Sequence, residues 1–233
     1  MFCVSILERD FTDLVEKVRS LSGISDLIEV RLDGLASKDF SLESHHVHAL
    51  KEAGGSLPLL FTNRRLAEGG HFQADDPRRI EWLHQCVENG GDLIDVELMT
   101  PESLRQDLII QAKKHGVKSV VSYHDFNETP PREKLSEILA EALETDCDIV
   151  KIVTTARNPM DLLATLSLYE EAIDSGIKLI AFSMGPLGSI TRIFSLILGA
   201  PFTYCAPKRE SATAPGQMDI STMRTLLEEF FPL

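Results

Sequence analysis

Apolar positions along this chain gather into eight short runs. Behind each run, apolar residues recur every three or four places. The first run, Phe2–Leu7, predicts a strand. The helix predicted over Asp10–Leu21 follows, with Phe11, Leu14, Val15, Val18 and Leu21 on one face and Gly23 at its end. Strands are predicted next at Leu27–Leu32, Pro58–Thr62, Leu93–Leu98, Val117–Tyr123, Cys147–Thr154, Ile177–Phe182 and Ala200–Cys205. Between them, after a turn at Asp33-Gly34 and a polar stretch, the pattern predicts helices at Leu42–Ala53, Pro77–Glu88 and Pro101–His115. Further helices are predicted from Pro130 to Thr145, over Pro159–Ser175 and Ser189–Leu198, and last over Asp219–Phe230. Gly185-Pro186-Leu187-Gly188 is expected to be a loop. Eight strand-helix units at a spacing of roughly 30 residues are the rhythm of parallel strands with helical crossovers. The expected fold is therefore α/β, a (β/α)8 TIM barrel forming a single domain over residues 1–233. An open doubly wound sheet competes, but no Gly-x-Gly-x-x-Gly follows a strand.

Composition narrows the setting. A net charge of -13 argues against nucleic acid or an anionic membrane as the partner. Cys3, Cys86, Cys147 and Cys205 lie far apart, which suits buried thiols in a reducing compartment better than a disulfide or zinc framework. The start, Met1-Phe2-Cys3-Val4-Ser5-Ile6, enters a strand at once with no signal-peptide pattern, and no later run is long enough to span a bilayer. A cytoplasmic location is expected.

The candidate chemistry centres on Lys151, inside the apolar run Cys147–Thr154. A buried strand has no structural use for an unpaired ammonium, so such a site favours the free amine, a nucleophile toward carbonyl carbon. A strand-end lysine that snorkels to solvent or pairs with an acid fits the composition equally well. A barrel carries its chemistry at the carboxyl ends of its strands. There the sequence places Ser5, Glu29 and Arg31, Arg64 and Glu68, Asp95 and Glu97, His124, Lys151 and Met184, with Arg192, Thr213 and Gln217 in the loops. Glu29 and Arg31 share a side of one strand, as do Asp95 and Glu97. His124 reads as a structural histidine or a general acid-base. Arg31, Arg64 and Arg192 read as salt-bridge partners or as a joint anion site. An imine-forming lysine beside a histidine suits a lyase, aldolase or dehydratase with no metal or organic cofactor. A class I aldolase and a non-catalytic barrel remain rivals.

Several motifs together resemble type I 3-dehydroquinate dehydratase. They are Glu29-Val30-Arg31-Leu32-Asp33, Thr62-Asn63-Arg64 with Glu68-Gly69-Gly70, Ile94-Asp95-Val96-Glu97-Leu98 and Ser122-Tyr123-His124-Asp125-Phe126. Lys151-Ile152, Ser183-Met184-Gly185 with Gly188-Ser189-Ile190-Thr191-Arg192, and Ala214-Pro215-Gly216-Gln217 complete the set. The resemblance implies a cofactor-independent lyase of the shikimate pathway, which supplies chorismate and the aromatic amino acids. It converts 3-dehydroquinate to 3-dehydroshikimate and water by syn elimination, and works as a homodimer. It implies that Lys151 forms the Schiff base, His124 moves the protons, Glu68 supports His124 and Asp95 belongs to the same network. Ser5, Glu29, Arg31 and Arg64 would contact substrate, Arg192 would bind its carboxylate, Met184 would line the pocket, and Thr213 and Gln217 would close over it. Two positions depart from the family: Thr213 stands where serine is frequent, and Asn63 where phenylalanine is frequent. The N-terminal extension that often closes the barrel floor in relatives is expected to be missing.

Overall fold

The computed structural model describes residues 1–36 and 40–230. Its strands are β1 (Phe2–Ile6), β2 (Leu27–Arg31), β3 (Leu59–Thr62), β4 (Leu93–Glu97), β5 (Lys118–His124), β6 (Ile149–Thr155), β7 (Lys178–Met184) and β8 (Thr203–Cys205). All pairings are parallel, and the order around the sheet is β7-β6-β5-β4-β3-β2-β1-β8. Parallel neighbours cannot be joined by a hairpin, so the chain returns through an outer layer of helices. These are α1 (Phe11–Ser20), α2 (Ser44–Gly54), α3 (Asp76–Glu88), α4 (Glu102–His115), α5 (Arg132–Leu143), α6 (Pro159–Ser175), α7 (Gly185–Gly188), α8 (Thr191–Ile197) and α9 (Ile220–Phe230). The (β/α)8 expectation holds.

Local chemistry sets the helix ends. The Asp10 carboxylate accepts from the Thr12 and Asp13 amides at 2.7 and 3.2 Å, capping α1. Asn158 and Asp161 form a reciprocal capping box ahead of α6, with Pro159 in its first turn. Gly116 and Gly176 end α4 and α6 in the left-handed region, at φ 72° and 74°. Several predicted boundaries move by one to three residues. Glu43 takes the cap of α2, so that helix starts at Ser44, two residues later than expected. The expected loop Gly185–Gly188 is a helical turn. The predicted strand Ala200–Cys205 forms a ladder only over its last three residues. The polar stretch that precedes α2 lies partly outside the described residues.

That short last strand matters. β8 pairs with β1, but among the described residues no ladder joins it to β7. The seam is filled by a side chain from α8. The Arg192 guanidinium carbon lies 4.1 Å from the ring centre of Phe182 on β7, and Nη1 donates to the Tyr204 carbonyl of β8 at 3.5 Å. Elsewhere the register puts polar residues on shared levels near the strand ends. Glu97, Ser122 and Lys151 are ladder neighbours across β4, β5 and β6, as are Ser5 with Glu29 and Thr62 with Asp95. Below them the barrel is apolar and closed to water. All four cysteines are buried and unpaired. Among the described residues, no helix is long and apolar enough to cross a membrane.

Candidate active site

Lys151 is buried, at 3% exposure, so it does not snorkel to solvent. Of the readings open for it, pairing with an acid is the one the structure shows. Its Nζ lies 3.0 Å from Asp95 Oδ2 and 3.8 Å from Glu29 Oε1, and 4.1 Å from the ring centre of Tyr204. The acids are themselves held. Glu29 accepts from the Ser5 hydroxyl and, at 2.9 Å, from Thr62 Oγ1. Asp95 accepts from Arg64 Nη2 at 2.9 Å and from Ser122 Oγ at 2.6 Å. Burial opposes ionisation of Asp95, but the Arg64 and Lys151 charges outweigh it and hold the carboxyl far below the usual carboxylate range.

His124 stands at the end of β5, and its Nδ1 lies 3.0 Å from Glu68 Oε2, which also accepts from the His124 backbone N–H at 3.1 Å. Burial depresses the imidazole well below its ordinary value, and the Arg64 and Lys151 charges add to that. Burial and the nearby Glu97 charge raise Glu68 to about 8. Near neutral pH the pair thus carries no net charge, and its protons are shared between the two residues. Phe126 covers this pair. Its ring stacks at 6.4 Å on the His124 ring and lies against Gly69, where any Cβ would collide with it. Gly69 also needs φ 74°, the left-handed region that favours glycine.

The raised carboxyl has a consequence for stability. In the unfolded chain Glu68 loses its proton near the ordinary carboxylate value of about 4.3, but in the fold only near 8. Between those values the Glu68 carboxyl holds a proton in the fold that it has lost in the unfolded chain, so its own contribution to stability falls with rising pH until about 8 is passed. A Glu68→Gln protein has no proton to lose. Its thermal midpoint relative to the parent is expected to climb across that window and then level off. Melting curves from pH 4 to 9 test this, and parallel midpoints for the two proteins would contradict it.

The three arginines separate. Arg31 makes a bidentate pair with Asp33, both contacts at 2.8 Å, and Asp33 also accepts from the Arg64 and His71 backbone amides. Arg64 is committed to Asp95, to Glu97 at 3.1 Å and to Ser122 at 2.8 Å. Among the described residues, Arg192 alone of the three has no carboxylate, and its Nε and Nη2 have no partner there. It is 1% exposed, and burial lowers it to about 10. A buried donor left unmade costs about 1–3 kcal/mol, more for a charged group, so of the three arginines Arg192 is the one with donors left over for an anion.

These groups face one cavity of about 450 Å³, volume counted out to its open mouth. Glu29, Arg31, Arg64, Glu68, His124 and Lys151 line it, as do Met184, Arg192, Thr213 and Gln217. Ser5 and Asp95 do not. Both are buried one layer back, where they hold Glu29 and Lys151 respectively. Thr213 and Gln217 form a self-bonded loop over the cavity, the Gln217 side-chain oxygen accepting from the Thr213 amide at 2.8 Å. Gly216 in that loop packs on the Gly185 carbonyl too closely for any side chain, at φ 73°. Among the described residues no cluster of three or more His, Cys, Asp and Glu side chains is arranged to hold a metal ion.

Several participants were not singled out from sequence. Tyr204, Phe182, Val153 and Phe126 line the cavity, Asp33 fixes Arg31, and Arg79 pairs with Glu97. Asp33 and Phe126 lay within quoted motifs without a role. Tyr204 is a single aromatic in a three-residue strand, and Arg79 follows another arginine on a helix, so neither carried a signal.

The family model for type I 3-dehydroquinase matches residues 2–232. A 3-dehydroquinate dehydratase of Thermococcus gammatolerans is 38% identical over 222 residues, 95% of this chain and 95% of its own. One from Methanosarcina barkeri is 34% identical over 206 residues, 88% of this chain and 85% of its own. Among solved structures, the type I 3-dehydroquinate dehydratase of Clostridium difficile, determined with covalently modified comenic acid, superposes with a TM-score of 0.89. It is 28% identical, with 98% of this chain and 91% of that one covered. The 3-dehydroquinate dehydratase of Geobacillus kaustophilus gives the same score and identity over 100% of this chain and 92% of its own. With the match running from the first strand to the last helix, the chain belongs to the type I 3-dehydroquinase family.

Proposed function

We propose that this chain dehydrates 3-dehydroquinate to 3-dehydroshikimate and water through an imine on Lys151. The observation that carries the reading is the arrangement of one cavity: a buried lysine and a partly buried histidine face it together with a guanidinium whose Nε and Nη2 have no partner among the described residues. The Lys151 amine adds to the C3 ketone, and loss of water gives an iminium. The iminium draws electrons from the neighbouring C2–H bond. His124 takes that proton and returns one to the departing C1 hydroxyl, which leaves as water; hydrolysis then frees the product and the lysine. Glu68, bonded to Nδ1, fixes the imidazole orientation and shares its proton. Asp95, Glu29 and Arg64 hold the amine in place, while Ser5 acts through Glu29 rather than on the substrate. Arg31 sits at the cavity wall as a substrate contact already neutralised by Asp33.

Arg192 takes the substrate carboxylate. Its two free donors match a planar carboxylate better than a phosphate cradle of backbone amides would, which favours a dehydroquinate over the phosphorylated sugars of an aldolase. Met184 packs against the ring, and the Thr213–Gln217 loop excludes water and offers hydrogen bonds to its hydroxyls. The barrel, residues 1–233, is the catalytic unit, working on a small molecule as a cytoplasmic homodimer. The chemistry calls for no metal or organic cofactor.

Two measurements test this. Borohydride added with 3-dehydroquinate is expected to fix one substrate-sized adduct on Lys151, read by peptide mass spectrometry. An unmodified Lys151 under turnover would sink the mechanism. Arg192→Met is expected to raise KM at least about tenfold, because a charge-assisted bidentate bond is lost. An unchanged KM would remove Arg192 from substrate binding.

A further inference from the structure

We infer that Arg79, on α3 and outside the cavity lining, is a positioning residue that helps set how readily Lys151 releases its proton. The inference rests on the Schiff-base reading of Lys151 and adds a residue that acts on it from behind the barrel wall.

Arg79 is 1% exposed although it lies in the first turn of an outer helix. Its side chain is directed inward and fully engaged. Nε donates to Asp76 Oδ1 at 3.0 Å, Nη2 to Thr100 Oγ1 at 2.7 Å, and Nη1 to the Asn63 carbonyl at 3.1 Å and to Glu97 Oε2. Asn63 answers by donating its side-chain amide to the Arg79 carbonyl at 3.0 Å. A side chain without a donor at 63 could not make that bond, so Asn63 helps hold Arg79 in place.

The other Glu97 oxygen, Oε1, accepts from Arg64 Nη1 and from the Arg65 amide, each at 3.1 Å. Arg64 then reaches Asp95 Oδ2 at 2.9 Å, and Lys151 meets that same oxygen at 3.0 Å. Five charges of alternating sign therefore stand in line: Arg79, Glu97, Arg64, Asp95 and Lys151. Two cations compete for one oxygen at the Lys151 end. While Arg79 shares Glu97, Arg64 is free to neutralise Asp95. Without Arg79, Glu97 draws on Arg64 alone, more of the Asp95 charge falls to Lys151, and the ammonium is held more tightly. The direct loss of a nearby positive charge acts in the same direction. The other groups facing Lys151 are Glu29 from β2, His124 from β5, Tyr204 from β8 and the Cys3 thiol from β1, and none of them touches Arg79.

The test is the pH dependence of imine trapping on Lys151, with 3-dehydroquinate and cyanoborohydride and the adduct located by peptide mass spectrometry. In Arg79→Met the midpoint is expected to move upward by about one pH unit. Arg79→Gln keeps hydrogen-bond donors without the charge and carries the same expectation if the methionine variant does not fold. Arg79→Lys, which keeps the charge, is expected to bring the midpoint back to the parent value. Lost stability alone lowers the amount of adduct and leaves its midpoint in place. Adduct on Lys151 with the parent midpoint in Arg79→Gln overturns the positioning role and leaves the Schiff base intact. A parent protein that forms no adduct on Lys151 at any pH defeats both.

Discussion

Replacement of Lys151 by alanine is expected to lower the turnover of 3-dehydroquinate by more than about 10⁴-fold, the scale on which a covalent nucleophile is missed. The barrel should survive the change. Asp95 keeps Arg64 Nη2 at 2.9 Å and Ser122 Oγ at 2.6 Å, so no buried carboxylate is stranded when the ammonium is removed. Glu29 likewise keeps the Ser5 and Thr62 hydroxyls. Kinetics, borohydride trapping and a thermal melt on the same sample separate the possibilities. Lost turnover and lost adduct in a cooperatively melting protein is the expected result. Product at a near-parent rate from that variant would mean the reaction runs without the imine.

His124→Ala is expected to slow kcat by about 10²–10⁴-fold, the usual contribution of a general acid-base, while trapping at Lys151 persists. The two effects part because the imidazole moves protons after the iminium exists. The substitution leaves the local backbone intact, since Glu68 Oε2 also accepts the residue-124 backbone N–H at 3.1 Å. Phe126 rests on Gly69 independently of the imidazole. Rapid-quench trapping read beside steady-state rates distinguishes stalled adduct from failed binding. A variant that released product at the parent rate would remove His124 from the chemistry.

The eight-unit rhythm made the barrel legible, because a parallel sheet covered by helices imposes its own period on apolar residues. Charges at Glu29, Arg31, Asp95 and Glu97 were legible for the opposite reason: they break an apolar strand where nothing apolar requires it. What the pattern could not carry was pairing. Arg31 and Arg64 look alike along the chain as Arg192 does, yet two are spent on carboxylates and one is not. That difference is decided by Asp33 and Asp95, which only the turn after β2 and the register of β3 on β4 bring into reach. Of the readings open for Lys151, pairing with an acid is the one the structure shows, and its partner was not legible because Asp95 is 56 residues away along the chain. Arg79 was beyond reach altogether. Helical periodicity assigns faces, and a long side chain can leave its face and bury its head at the ends of the adjoining strands.

The unclosed side of the barrel gives the substrate a mechanical part. Among the described residues β7 and β8 share no ladder, which leaves the sheet two margins with Arg192 wedged between them. A carboxylate seated on that guanidinium, with its ring joined covalently to β6 through Lys151, would fasten one margin to the other. Bound in this way, the guest would act as a rivet between the two margins as well as a reactant.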